Sequence, residues 1–110
     1  MAYEERLAER VRALLADEGG VSEMRMMGGL SFLVHGNMAV AVSSQGGLLV
    51  RVGPDAFEEA LSRKGATAME MRGRQMKGWV RVAPDALGRK PQLESWVKRG
   101  IAFARTLPPK

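Results

Sequence analysis

At 110 residues, 45% of them apolar, the chain has material for one hydrophobic core and one domain spanning residues 1–110. With no cysteine and a single histidine, it cannot form a disulfide framework or a cysteine-ligated zinc site. The net charge of +5 is split between a balance of −4 over residues 1–62 and +9 over residues 63–110. Such asymmetry marks either a solvated basic surface or a face for nucleic acid or an acidic partner.

The N-terminal MAYEERLAERVRALL mixes acids with its apolar residues and lacks the form of a signal peptide. No stretch approaches the roughly 18–20 apolar residues of a membrane span. These features predict a soluble, cytoplasmic protein with no membrane partner. In the same segment Tyr3, Leu7, Val11, Leu14 and Leu15 form one helical stripe. Glu4, Glu5, Glu9, Arg10 and Arg12 take the wet side, and Gly19-Gly20 is expected to end the helix.

Four strands are predicted next, at Val21–Met27, Leu30–His35, Met38–Ser43 and Leu48–Val52. The breaks at Gly28-Gly29, Gly36-Asn37 and Gln45-Gly46-Gly47 are too short for crossover helices, so neighbours must run antiparallel. Gly53-Pro54-Asp55 opens a short helix with Phe57, Ala60 and Leu61 facing inward. A second strand pair near Met69–Arg72 and Trp79–Val82 flanks a predicted loop from Gly73 to Gly78. After a turn at Pro84, a last helix from Pro91 carries the stripe Leu93, Trp96, Val97, Gly100, Phe103, Ala104 and Leu107, and Pro108-Pro109 stops it.

This order predicts an α+β two-layer sandwich, an antiparallel sheet of five to six strands packed against terminal helices. Alternation places Leu30, Phe32, Val34, Met38, Val40, Val42, Leu48, Val50 and Val52 on the helix-covered face. The other face then carries Leu33, His35, Ala39, Ala41, Leu49 and Arg51. Leu33, Ala39, Ala41 and Leu49 make it less polar than an open face, and an association surface is expected there, with surfaces and no pocket for function.

The spacing of the polar residues offers no familiar catalytic constellation. Any Ser–His pair must use His35, yet Ser31 stands roughly 13 Å away along the same strand. One histidine with scattered carboxylates supplies no familiar metal set. Asp55, Glu58 and Glu59 suit the positive end of a helix. Gly73 and Gly78 have P-loop spacing, but Trp79 stands where the lysine belongs, and Gly28-Gly29 lacks the third glycine of a dinucleotide fingerprint. No catalytic residue, cofactor or metal is expected.

Met24, Met26, Met27, Met69, Met71 and Met76 suit either an adaptable binding groove or, as is commoner, core filler. Trp79 and Trp96 are expected to anchor the core. Arg72, Arg74 and Lys77 form the strongest candidate contact for phosphates or an acidic partner. Arg81, Arg89, Lys90, Lys98 and Arg99 extend that patch if the last helix lies alongside. With aromatics at 5%, few are spare for base stacking, so nucleic-acid binding through this patch is expected to be weak, non-specific and salt-sensitive.

The block Met26-Met27-Gly28-Gly29-Leu30-Ser31-Phe32 resembles the KMFGG…F block of TfoX N-terminal domains, the group that includes the Sxy competence regulators. Asn37-Met38-Ala39, Leu49-Val50-Arg51-Val52, Gly73 with Met76-Lys77-Gly78-Trp79-Val80, and the helix around Trp96 and Ala102 follow the same pattern in order. Arg25 and Met27 stand where the family often has Lys and Phe, keeping charge and apolar bulk. The resemblance implies an α+β fold and, in two-domain members, a link to transcriptional regulation of DNA uptake. These 110 residues read as a stand-alone N-terminal domain. The resemblance supplies no catalytic residues. The expected function is therefore a non-enzymatic interaction or regulatory domain that binds a protein partner or a second copy of itself, with nucleic-acid binding as the alternative.

Overall fold

Six strands join into one sheet in the order β1-β2-β3-β4-β6-β5, and every neighbouring pair is antiparallel. The computed structural model describes residues 4–26 and 28–110; Tyr3 and Met27, assigned above to the first stripe and the first glycine block, lie outside them. In chain order the elements are α1 (Glu5–Leu14), β1 (Val21–Met26), β2 (Gly29–Val34), β3 (Asn37–Val42), β4 (Leu48–Arg51), α2 (Phe57–Leu61), β5 (Ala66–Met71), β6 (Arg74–Val82), a single 3₁₀ turn (Pro84–Leu87) and α3 (Lys90–Ala104). The two predicted strand groups are one sheet because β6, not β5, pairs with β4, through Leu48↔Val82 and Val50↔Val80.

β-branched residues fill the inner face, as the pleat favours. Val34, Val40, Val42, Val50, Val80 and Val82 are sealed from solvent, with Phe32 and Leu48 among them. Over them lie the stripes of α1 (Leu7, Val11) and α3 (Leu93, Trp96, Val97, Ile101) and, from α2, Phe57 and Ala60. α3 comes closest at Gly100, where a Cβ would sit 2.5 Å from the Ala39 carbonyl oxygen. The helix reaches β3 at this point because neither residue has bulk to hold the backbones apart.

That contact bears on one correction. β2 and β3 shift register between Phe32 and Leu33, so that Phe32 faces Val40 while Leu33 faces Met38. Ala39 is the extra residue, a bulge that reverses the alternation locally. Ala39 is 0% exposed and belongs to the core, whereas Met38 turns to the opposite face. Strict alternation had assigned them the other way round.

Three other local features differ from the sequence reading. α1 ends at Leu14, five residues before Gly19. The β2–β3 turn is His35-Gly36, with positive φ at both, and Asn37 begins β3 with its side chain buried. Asn37 Nδ2 donates to the Pro108 carbonyl at 2.9 Å, tying the tail after α3 to this turn. The predicted loop from Gly73 to Gly78 is mostly strand. Arg72 and Gly73 have φ of 53° and 78°, the geometry of a tight two-residue hairpin turn, and β6 begins at Arg74.

Candidate functional site

The outer face is not an open surface. It holds a groove of about 280 Å³, and residues from both edge strands line it, Met26 of β1 and Met69 and Met71 of β5. Edge strands with four others between them line one space, which requires the sheet to curl. The β5–β6 hairpin adds to this. Its partner β4 ends opposite Trp79, so residues 74–77 run past β4 as a two-stranded ribbon with β5. The strand bends at Gly78, whose φ of 98° is open to glycine at little cost. The Gly78 carbonyl accepts hydrogen bonds from Val52 N–H at 2.8 Å and Gly53 N–H at 3.1 Å, which clamps the bend to the end of β4.

Five methionines line the groove, Met26, Met38, Met69, Met71 and Met76. None of them is in the core, so the groove use of methionine applies here and not the filler use. Met24 is 50% exposed on β1 and is not part of the lining, although its cross-strand partner Ser31 is. Ala41 and Leu49, cross-strand neighbours on β3 and β4, line the groove between the methionines and are themselves buried. Of the four residues expected to form an association face, these two line the groove, Leu33 is buried on that face without lining it, and Ala39 is in the core. Trp96 is a core residue as expected, but Trp79 is half-buried and lines the groove. The Arg51 guanidinium lies 5.1 Å from the Trp79 ring centre and 5.4 Å from that of Phe103, within cation–π range of both.

One end of the groove is polar. Arg81 Nη1 donates to Ser43 Oγ at 3.0 Å, and the same oxygen accepts from Gln45 N–H at 3.0 Å. Among the described residues Arg81 is the one charged residue in the lining, and no carboxylate, imidazole or thiol is part of it. Ser31, buried in β2, also faces this space, while His35 is exposed in the turn beyond the strand's other end. Among the described residues no three His, Cys, Asp or Glu side chains gather into a metal-binding group.

The cations of the C-terminal half do not form one patch. Arg72, Arg74 and Lys77 are exposed together at the hairpin tip, without an acidic partner among the described residues. Arg89 and Lys90 follow the other end of β6, a nine-residue strand roughly 27 Å long. Arg99 and Arg63 both grip Glu59, at 2.8 and 2.7 Å, and their hydrogen bonds hold its carboxyl down to about 2, Arg99 contributing most. Arg12 likewise lowers the Glu23 carboxyl through a 2.6 Å bond, and Arg105 pairs with Glu18. Three of these pairs, Arg99–Glu59, Arg12–Glu23 and Arg105–Glu18, tie helices or their ends to neighbouring segments.

No helix among the described residues is long and apolar enough to cross a membrane. Comparison with curated proteins and with solved structures gave no match. Residues 13–104 match the model of the TfoX N-terminal domain, a span that contains the whole sheet, all of α2 and α3, and every residue of the groove. With more than half its length in that match, the chain belongs to the TfoX N-terminal domain family.

Proposed function

We propose that this domain is a non-enzymatic interaction module of regulatory type, and that the methionine-lined groove is its working surface for a protein partner. The observation that carries the reading is the composition of the groove. Its walls are flexible thioethers around buried Ala41 and Leu49, the kind of surface that adapts to apolar side chains of different shapes. Its polar groups are hydroxyls, an amide and a guanidinium, with no base positioned to activate a nucleophile. A role in transcription or competence would be exercised through whatever docks there.

Met71 stands on the groove wall and is 37% exposed, so Met71→Glu places a charge in the apolar site without disturbing the core. Affinity capture with wild-type and Met71→Glu chains, followed by binding measurements on purified candidates, tests the proposal. A partner that binds wild type and loses at least tenfold in affinity on Met71→Glu supports it. Partners that bind both chains equally would remove the groove from the account. Sedimentation across a range of concentrations tests self-association on the same pair of chains.

A second reading rests on a separate observation, the three unpaired cations at the projecting hairpin tip. In that reading Arg72, Arg74 and Lys77 hold nucleic-acid phosphates weakly and without sequence preference. Fluorescence anisotropy with duplex DNA and with single-stranded RNA at low salt tests it. Binding unchanged in the triple charge-reversal variant Arg72→Glu, Arg74→Glu, Lys77→Glu would exclude the tip as the contact.

A further inference from the structure

We infer that the groove is a binding site for a small amphipathic carboxylate, with its apolar body against the methionines and its anionic head on Arg81 and Ser43. Each polar atom at that end has a countable capacity left to give. A hydroxyl oxygen accepts two hydrogen bonds and donates one. Ser43 Oγ already accepts from Arg81 Nη1 and from Gln45 N–H, each at 3.0 Å, so its remaining capacity is its own O–H. Arg81 donates in that one hydrogen bond and forms no ion pair among the described residues, although a guanidinium carries five N–H donors and no acceptor. The polar end thus presents two donor groups side by side and carries a positive charge.

The surroundings decide the class of ligand. No acid lines the groove to neutralise Arg81, and the flanking walls, Leu49, Ala41 and the methionines, offer an anion no competing acceptor. Of the other half-buried arginines, Arg99 is matched by the Glu59 carboxylate at 2.8 Å, Arg10 donates to the Leu87 carbonyl at 2.8 Å, and Arg51 lies over the Trp79 and Phe103 rings. Arg81 has a single neutral hydroxyl as its side-chain partner. A planar monoanion fits the fork of a guanidinium with two parallel hydrogen bonds. A phosphate dianion would leave one of its charges uncompensated against apolar walls. At about 280 Å³ the space lies at the small end of ligand pockets. The body is therefore a single ring or a medium-length acyl chain.

This inference is independent of protein docking, because it is tested on the isolated chain with small molecules. The chain is labelled with methyl-¹³C methionine and titrated with sodium octanoate, below its micelle concentration, and in parallel with octan-1-ol, which has the same body without the charge. The expected result is saturable movement of the Met26, Met38, Met69, Met71 and Met76 methyls, and octanoate binding tighter than octanol by roughly tenfold or more, as a charge-assisted bond implies. Arg81→Gln should erase that preference, while Ala41→Leu, which fills the groove, should weaken both ligands together. Equal affinity of wild type for octanoate and octanol would overturn the inference, and it needs no variant to be observed. So would the absence of shifts, or shifts that fail to saturate, which mark an adventitious additive only.

Discussion

The two faces of the sheet are built from the same strands and do opposite things. On the inner face, Val34, Val40, Val42, Val50, Val80 and Val82 meet the helices with no solvent access, and β-branched side chains leave few rotamers to choose from. On the outer face, Met38, Met69, Met71 and Met76 surround a space that no element of the described residues fills. Stiff residues define a unique packing, whereas unbranched thioethers keep several arrangements open. The comparison teaches that stability and adaptability are separated here by a single sheet's thickness, with alternation along each strand serving both.

The largest expected effect tests the inner face. Phe32→Ala should lower stability by about 3–5 kcal/mol, the range for a sealed aromatic whose removal leaves a cavity. Urea unfolding measures it, and a much smaller loss would mean that the core collapses more easily than its packing implies. Gly100→Val should cost about 1–3 kcal/mol by overpacking. The contact there is with the Ala39 backbone, 2.5 Å from the new Cβ, so the gain of up to about 1 kcal/mol in helix propensity does not compensate. The same unfolding curve decides the sign.

Leu49→Ala sharpens the contrast from the outer side. Leu49 borders an open groove, so its truncation loses transfer energy of about 1–2 kcal/mol without a sealed cavity. A loss as large as that of Phe32→Ala would make the two faces equivalent and end the comparison. Acid offers a milder probe of the helical layer. The Glu59 carboxyl, lowered from 4.5 to about 2 by Arg99 and Arg63, contributes stability above pH 4.5 that is lost as pH falls toward 2. Replacing Glu59 by Gln should flatten that part of the pH–stability curve and leave the neutral region little changed, since the group is exposed. The smallest effect belongs to the hairpin tip, where the triple reversal at Arg72, Arg74 and Lys77 should change stability by no more than about 0.5 kcal/mol. Thermal unfolding checks it, and a larger change would show that the tip supports the fold as well as projecting from it.

Much of this architecture was legible in the residues alone. The period of Leu7, Val11 and Leu15, the Val-rich strands and the short glycine turns led to helices over an antiparallel sheet, because side-chain periodicity is a local property of the backbone. The methionines were visible too, although not which of their two uses would apply. What alternation could not give was the reversal at Ala39 and Met38, since a bulge is settled by register with the neighbouring strand.

The sequence by itself determined which segments are strand or helix apart from the first halves of β5 and β6, which side of most strands is apolar, and that the second half is basic. Only the tertiary structure decided that the outer face encloses a groove, that Arg81 stands in it with donors to spare, and that Arg99 is matched by Glu59 forty residues away. Those features depend on how far the sheet curls and where the β5–β6 hairpin leans. Both are sums over contacts between residues distant in the chain, so no window of sequence contains them.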